Sequence, residues 1–461
     1  MALRRESPFT LSFILITVLL DMVGLGIILP VLPSLLESLT GAEVAGAAKI
    51  GGYLVFIYAL MQFLFSPVLG NLSDRFGRRP VLLLSLIGLT TDYAIMSIAP
   101  SIAYLFIGRM IAGISGAAVS TATAYMADIT PREKRAQRFG LIGAAFGLGF
   151  IIGPIVGGVL GEISVRAPFM VAAGLAFANF LFGLIILPES LPKTRRRRFD
   201  IKRANPFGAL LAFKSYPAVL WLIAALFLFV LAGQSYPSVW NFFTIEKFGW
   251  TSSQIGISLA AFGILFALTQ GFLVGPVVKR FGEAMAILAG MIAACIAFLG
   301  VSLIHTPIGL YGYLIVGAFS GLAAPAISGL MSRLVPDNSQ GELQGAVNAG
   351  NSLSAILGPI IATQLFAFFT TSDGAPIYFP GAPFMAAAFM VLASGILFYV
   401  TFFRFDLMHA KPVAHDPHAP DIAKPGEIAI PPHNGSERPE DPADEEDEAL
   451  ELKKSAPKPP L

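Results

Sequence analysis

Apolar runs of about 20 residues recur along the first 404 positions of the chain, separated by short polar segments. A helix of that length crosses the hydrocarbon core of a bilayer, so each run predicts one membrane helix. The composition agrees, because 55% of the residues are hydrophobic, 13% are charged and the mean hydropathy is +0.72. Soluble domains of this size are less apolar. We predict twelve membrane helices, over residues 10–36, 50–71, 80–99, 102–127, 138–160, 168–187, 216–242, 253–277, 284–304, 307–333, 343–369 and 382–403.

The amino terminus has one feature of a signal peptide, since Arg4 and Arg5 precede an apolar run. That run continues past Asp21 to Leu32 without a small-residue cleavage site. We therefore interpret it as a retained first membrane helix.

The basic residues are distributed unequally between the two sets of loops. If the amino terminus is cytoplasmic, twenty Lys and Arg residues among positions 1–403 lie on that side and three lie on the other: Lys49, Arg166 and Lys247. The positive-inside rule then predicts that both termini are cytoplasmic. A basic run at residues 193–198 is expected to face anionic lipid and not nucleic acid.

An internal repeat links the two halves of the chain at an offset of 205 residues. Arg75, Phe76 and Gly77 recur as Arg280, Phe281 and Gly282, and other glycines and prolines follow the same spacing. Parallel halves of six helices each are typical of transporters. We predict an all-α membrane protein with two pseudo-symmetric six-helix bundles, at residues 1–188 and 216–404. A central cytoplasmic loop at 189–215 joins them, and an acidic tail at 405–461 is expected to be disordered.

Residues 70–80 read Gly-Asn-Leu-Ser-Asp-Arg-Phe-Gly-Arg-Arg-Pro and predict a tight charged hairpin between the second and third helices. Gly70 and Gly77 would allow close approach and a sharp turn. Asp74 and Arg78 are close enough in sequence to form a switchable ion pair. The alternative is an ordinary basic cytoplasmic loop.

Three charges lie inside predicted membrane helices: Asp21, Asp92 and Arg109. Each costs about 2.5–3.5 kcal/mol on insertion scales, so each is a functional candidate. Asp21 or Asp92 could carry a coupling proton, and Arg109 could hold a carboxylate charged until a substrate displaces it. A static buried ion pair, or an aspartate capped by hydroxyl groups, is the alternative.

The fifth predicted helix carries Gly149, Gly153 and Gly157 at intervals of four, which predicts a smooth face for close helix packing. Pro154 is expected to bend this helix, and Gly158 to widen the groove. Packing alone would also account for the pattern.

Several polar side chains at membrane depth could line a cavity, although each could instead form an interhelical hydrogen bond worth about 0.6 kcal/mol. They are Gln62, Gln234, Trp240, Gln270, Asn348 and Asn351. The chain shows neither a cysteine cluster for metal nor a phosphate-binding glycine loop with a lysine. Transport energy would then come from an ion gradient or from the gradient of the substrate.

The charged stretch at residues 70–80 and the glycine pattern of the fifth helix resemble the major facilitator superfamily, in particular its twelve-helix drug/proton antiporters. Further segments are similar to the tetracycline/proton antiporters of Gram-negative bacteria. They include Leu20-Asp21, Tyr58-Ala59-Leu60-Met61-Gln62, Asp92-Tyr93, Gly108-Arg109 and Phe248-Gly249-Trp250.

This resemblance implies a transporter of the bacterial inner membrane, functional as a monomer, with no enzymatic activity and no bound cofactor. Its substrate would be tetracycline chelated to a divalent cation such as Mg²⁺, exchanged for a proton. The positions implicated in transport would be Asp21, Gln62, Asp92 and Arg109. The gating positions would be Gly70, Asp74, Arg75, Gly77 and Arg78, with Asp128 as a partner.

The sequence also departs from those exporters, which carry an acidic residue in the ninth helix and a histidine in the eighth. The aligned residues here are Ala294 and Phe266. Transport of another drug, a sugar or a metabolite is therefore an alternative. A membrane receptor that binds a ligand without moving it is a further one.

Overall fold

The computed structural model describes residues 8–116, 118–131, 134–196, 216–336, 339–371 and 377–407. Within these ranges the regular structure is entirely helical. In the first half the helices are α1 (Pro8–Thr40), α2 (Val44–Phe76), α3 (Arg78–Ile98), α4 (Ile102–Ile114), α5 (Ala118–Ile129), α6 (Arg135–Ile163) and α7 (Ala167–Ile186). In the second half they are α8 (Pro217–Gly233), α9 (Ser235–Phe248), α10 (Ser252–Leu268), α11 (Val274–Leu303), α12 (Pro307–Ala318), α13 (Ala323–Arg333), α14 (Gln340–Thr370) and α15 (Ala382–Arg404).

Eleven helical stretches among the described residues are long and apolar enough to cross a membrane. One of them, Ser252–Leu303, has 52 residues, which corresponds to about 78 Å at 1.5 Å per residue. That is more than twice the thickness of a hydrocarbon core. The stretch is interrupted at Gly282, whose φ is 82° and ψ is 166°, so it accounts for two crossings. The predicted fold class is confirmed.

The predicted hairpin at residues 70–80 is wrong in its extent. Helix α2 continues through Asp74 to Phe76, and α3 begins at Arg78, so the turn consists of Gly77 alone, with φ 111°. Gly70 lies inside α2, and a Cβ added there would have no neighbour within 4 Å. The sequence suggested a loop because it is polar, but polar residues are compatible with a helix that extends beyond the hydrocarbon core.

Several predicted spans are divided into two helices. The fourth span breaks between α4 and α5, and the tenth breaks at a 3₁₀ turn, Phe319–Leu322. A π-helical turn, Thr269–Leu273, separates α10 from α11. The breaks at Ser115 and Phe319–Leu322 lie at positions related by the internal repeat, so both halves share this irregularity.

The repeat is visible in local geometry as well. Gly77 and Gly282 both have positive φ, at 111° and 82°. The Arg75 guanidinium carbon lies 5.0 Å from the centroid of the Phe76 ring, and that of Arg280 lies 5.4 Å from the Phe281 ring. The two turns are therefore structural equivalents.

The two halves of the chain meet mainly through α6 with α10 and through α2 with α14. We call the end of the molecule that holds Gly77 and Gly282 the charged end, and the other the opposite end. Close approaches between the halves lie toward the opposite end, where the Asn241 amide donates to the Leu29 carbonyl at 2.7 Å. Toward the charged end, a Cβ added at Gly140, Gly143 or Gly341 would have no neighbour within 4 Å. The close approaches between the two halves are thus concentrated at the opposite end.

The domain boundaries at residues 188, 216 and 404 stay predictions. Most of the central loop, at residues 197–215, and the acidic tail from residue 408 lie outside the described residues.

Candidate functional site

Asp92 on α3 and Arg109 on α4 form a buried ion pair. The carboxylate is fully buried and the arginine is 7% exposed. Arg109 Nε donates to Asp92 Oδ1 at 3.1 Å, and Arg109 Nη2 contacts Asp92 Oδ2. Gly108 makes this approach possible, because a Cβ there would lie 2.7 Å from Asp92 Oδ1. Each charge compensates the other in an environment where an isolated charge would be very costly.

Asp21 lies on α1 and is partly buried. Within the described part of the chain it makes neither an ion pair nor a hydrogen bond. Two tyrosines interact electrostatically with it, Tyr58 from α2 and Tyr93 from α3. The Tyr93 hydroxyl packs beside Gly24, one turn along α1 from Asp21, and is buried without a hydrogen-bond partner. Of the two membrane aspartates in the described residues, Asp92 is therefore the paired one and Asp21 the one without an ion-pair partner.

A cavity of about 410 Å³ lies between α2 and α14. Three of the predicted cavity residues line it: Gln62, Asn348 and Asn351. Ser66 and Ser352 add hydroxyl groups, and the remaining lining residues are small or apolar. The volume lies within the range of drug-sized binding sites. None of the three membrane charges lines the cavity, although Gln62 is one turn from Tyr58 on the same helix.

Gln62 connects the cavity to the interior of the first half. Its Nε2 donates to the Gly116 carbonyl at 3.0 Å and to the Tyr58 hydroxyl at 3.4 Å. The Arg109 guanidinium carbon lies 5.5 Å from the centroid of the Tyr58 ring. The cavity wall is thus linked to the ion pair through Tyr58.

Three other predicted cavity residues do not line this cavity. Trp240 is 2% exposed, donates its indole N–H to the Ser258 hydroxyl at 2.9 Å, and packs among aromatic rings. Gln234 lies at the break between α8 and α9 and packs against Gly358. Gln270 is exposed in the π-helical turn. Polarity at membrane depth identified these residues but could not show which way they face.

The second half has no titratable group at the two positions where the sequence departs from the tetracycline exporters. Ala294 is 3% exposed in the core. The Phe266 ring lies 5.7 Å from that of Phe262 and packs beside Gly321. In this chain both positions hold apolar side chains that pack against their neighbours.

At the charged end, Arg78 joins α2 to α5. Its Nη1 lies 2.6 Å from Asp74 Oδ1, and its Nε lies 3.2 Å from Asp128 Oδ2. The Ser190 hydroxyl also donates to Asp128 at 3.1 Å. Arg75 is exposed and stacks on the neighbouring Phe76. Arg78 is therefore the centre of this cluster.

Glu189, which sequence reasoning did not single out, caps the start of α3. Its carboxylate accepts from the backbone N–H groups of Arg78 at 2.8 Å and Arg79 at 3.3 Å. An anion at a helix amino terminus is stabilised by the unpaired N–H groups and by the helix dipole. The segment after α7 is thus attached to the turn at Gly77.

The equivalent cluster in the second half has the opposite polarity. Positions Asp74, Arg78 and Asp128 correspond through the repeat to Lys279, Glu283 and Arg333. Arg333 forms an ion pair with Glu283, as Asp128 does with Arg78. One ion pair of the cluster thus recurs with its signs reversed, and residue identity alone would not have revealed it.

The glycines of α6 allow two close helix contacts. A Cβ at Gly149, Gly153 or Gly157 would lie 2.3–2.7 Å from a backbone carbonyl oxygen of α1. Gly158 faces α10 instead, where an added Cβ would lie 2.6 Å from the Ser252 carbonyl oxygen, and the Pro154 carbonyl lies against Gly256. Helix α6 therefore packs within its own half along one face and against the other half along the next.

Two polar contacts at membrane depth were missed by sequence reasoning. The Asn179 amide on α7 donates to the Thr17 hydroxyl at 3.2 Å. Asn241 donates to Leu29 across the two halves. Both asparagines lie inside apolar runs of the sequence, and a polar residue in such a run could have indicated a buried hydrogen bond.

Outside the membrane, Tyr378 donates to Glu246 at 2.7 Å, and burial together with that carboxylate raises the pKa of the Tyr378 phenol.

No group of three or more His, Cys, Asp or Glu side chains that could hold a metal ion occurs among the described residues.

Comparison with known proteins places these features in context. The Major Facilitator Superfamily profile matches residues 14–245 and again residues 233–432. The chain is 44% identical over 362 residues to the class C tetracycline resistance protein of Escherichia coli, covering 78% of this chain and 91% of that protein. It is 31% identical to multidrug resistance protein 1 of Bacillus subtilis, with 78% and 91% covered.

Among solved structures, the chain is similar to the human organic anion transporter MFSD10 (TETRAN). The TM-score is 0.62 at 25% identity, and the match covers 85% of this chain and 100% of that one. The family predicted from the charged stretch and the α6 glycines is confirmed, and its members are carriers, not enzymes. The chain is a multi-pass membrane protein that belongs to the Major Facilitator Superfamily.

Proposed function

We propose that this protein is a proton-coupled antiporter that exports a small amphipathic drug, with tetracycline chelated to a divalent cation as the leading substrate. The observation that carries the proposal is Asp21, an aspartate inside a membrane helix with no ion-pair partner in the described structure, whereas the other membrane aspartate, Asp92, is paired with Arg109. A free carboxylate can bind a proton in one step and release it in another. The paired carboxylate is already neutralised by its arginine.

The cavity supports a drug-sized substrate. Its volume of about 410 Å³ and its amide and hydroxyl groups suit a polar aromatic molecule. A cation such as Mg²⁺ would be bound by the substrate and carried with it. The relationship to the tetracycline resistance proteins favours tetracycline within this class.

The direction of transport follows from the predicted orientation. With both termini cytoplasmic, as the distribution of Lys and Arg indicates, the charged end faces the cytoplasm. The cavity then opens toward the side from which a drug is exported. One charge that crosses about 100 mV provides about 2.3 kcal/mol, enough for a drug gradient of about fifty-fold. The protein would reside in the bacterial inner membrane and could function as a monomer.

The test is uptake of labelled tetracycline into inverted vesicles with Mg²⁺ present and the interior acidic. We expect accumulation that an uncoupler abolishes. Asp21→Asn should bind tetracycline but fail to accumulate it. Full accumulation by Asp21→Asn would remove the coupling role of that residue.

A second candidate is export of a less polar drug. Ala294 and Phe266 give the second half apolar packing at two positions where the tetracycline exporters are expected to carry ionisable groups. This candidate would be favoured if lipophilic cations inhibited the uptake of labelled tetracycline more strongly than unlabelled tetracycline does.

A further inference from the structure

Asn241 on α9 lies in the contact between the two halves at the opposite end of the molecule. Its side chain is 3% exposed. The amide nitrogen donates to the Leu29 carbonyl of α1 at 2.7 Å, so this hydrogen bond joins a side chain of the second half to the backbone of the first. Removing one partner of a buried hydrogen bond leaves the other unsatisfied, which is costly.

The Leu29 carbonyl needs an outside donor because of a proline one turn later in α1. In a regular α-helix the carbonyl of residue 29 accepts from the N–H of residue 33. That residue is Pro33, which lies inside α1 and has no N–H. The Leu29 carbonyl therefore lacks its regular helical donor, and Asn241 supplies one from the other half.

The orientation of the Asn241 amide is determined by its two contacts. The amide oxygen accepts from the backbone N–H of Phe242 at 2.9 Å. The amide nitrogen must then face Leu29, whose carbonyl can only accept. A side chain needs both an acceptor and a donor to make these two contacts, and an amide provides both.

The two halves also pack closely around this hydrogen bond. A Cβ added at Gly51 of α2 would lie 2.9 Å from the Phe242 ring of α9. A Cβ added at Gly52 would overlap the Thr363 hydroxyl of α14. The bond is thus one part of a close contact that cannot persist if the halves move apart at this end.

A carrier with two such halves releases its substrate by rocking them about the central site, so that one end closes as the other opens. Release at the opposite end therefore requires that the bond between Asn241 and Leu29 break. We infer that Asn241 is a gating residue, whose hydrogen bond to the Leu29 carbonyl stabilises the conformation in which the halves meet at the opposite end. The inference rests on the proposed export only in requiring that separation, and not on the identity of the drug or of the coupling ion.

The test measures from which side the cavity can be reached. Asn348→Cys in a Cys295→Ser background places a single thiol on the exposed cavity wall. With the proposed orientation, inverted vesicles present the charged end to a membrane-impermeant maleimide, and right-side-out vesicles present the opposite end. We expect Asn241→Leu to raise labelling from the opposite end about tenfold relative to labelling from the charged end, the effect expected for one buried hydrogen bond.

Asn179→Leu is the matched control. Asn179 is also 3% exposed in a membrane helix and also donates to α1, at 3.2 Å to the Thr17 hydroxyl, but its bond lies within the first half. This variant should leave the ratio of the two labelling rates unchanged. Asn241→Ser is a second test variant, because serine is polar but too short to reach Leu29, and it should shift the ratio as Asn241→Leu does even if leucine impairs folding.

Pro33→Ala tests the physical reason for the gate. Alanine restores an N–H that can bond the Leu29 carbonyl within α1, so that this carbonyl no longer depends on Asn241. We therefore expect Asn241→Leu to shift the labelling ratio by less in the Pro33→Ala background than in the parent protein.

Three results would overturn the gate. The first is a labelling ratio that neither Asn241 variant changes. The second is an equal shift in Asn179→Leu, which would indicate general loosening of the contacts of α1. The third is an equal shift with and without Pro33, which would show that the bond to Leu29 is not the cause. Labelling requires no drug, so a failure to accumulate tetracycline would overturn the proposed substrate and leave this test in force.

Discussion

The charged side chains inside the membrane differ in how much stability their removal should cost. Asp92 and Arg109 neutralise each other while buried, so deleting one leaves an uncompensated charge. Asp21 has no such partner in the described structure. We therefore propose separate roles for the two aspartates, both of which sequence position had marked as candidates for the coupling proton.

Arg109→Gln should lower the free energy of unfolding by about 3–5 kcal/mol, because Asp92 would remain buried without its cation. The double variant Asp92→Asn with Arg109→Gln should recover most of that stability but not transport. Thermal unfolding in detergent and vesicle uptake measure the two effects. A double variant no more stable than Arg109→Gln alone would contradict the compensated-pair account.

At the scale of single residues, charges within apolar runs could be predicted because sequence position alone exposes them. The capping role of Glu189 could not be predicted, since its partners are backbone N–H groups 110 and 111 residues earlier in the chain. The cavity residues were predicted only in part. Polarity singled out Gln62 and Asn348 along with Trp240, but only the fold shows that Trp240 points into an aromatic core.

At the scale of elements, the packing of α6 on α1 depends on glycine. Gly157→Ala should destabilise the protein and reduce transport, because its Cβ would lie 2.3 Å from the Ile27 carbonyl oxygen. Gly147→Ala on the same helix is the control, since no atom lies within 4 Å of its Cβ position. Thermal unfolding of the two variants decides the point. Equal stability would show that α1 and α6 do not pack as described.

The turns at Gly77 and Gly282 offer a second matched pair. Both glycines have positive φ, so alanine at either costs about 1–3 kcal/mol in backbone strain. At Gly77 the added Cβ would also lie 2.2 Å from Glu189 Oε2, whereas the position at Gly282 is open. Gly77→Ala should therefore lower the unfolding temperature more than Gly282→Ala. The reverse order would contradict the capping role of Glu189.

At the scale of the whole molecule, the halves close at the opposite end and part at the charged end. The number and type of helices could be predicted from hydropathy, and the relation between the halves from the repeat. The conformation, with the halves in close contact at the opposite end, could not be predicted, because the same helices must fit together in more than one arrangement during transport. The correspondence between the Glu283–Arg333 ion pair and the Arg78–Asp128 ion pair likewise became visible only in the structure, where both pairs form.

The conformation and orientation can be tested with a cysteine in the cavity. The chain has one native cysteine, Cys295, so Asn348→Cys in a Cys295→Ser background carries a single thiol. Asn348 is exposed on the cavity wall, and a membrane-impermeant maleimide should label it in inverted vesicles and not in right-side-out vesicles. Labelling only in right-side-out vesicles would reverse the proposed orientation.

The central claim is that drug movement and proton movement are one exchange. The most direct measurement is the internal pH of acid-loaded inverted vesicles after Mg²⁺ and tetracycline are added, with wild-type protein and with Asp21→Asn. The account predicts tetracycline-dependent alkalinisation with wild type and none with Asp21→Asn. Tetracycline uptake by wild type without any proton release would contradict it.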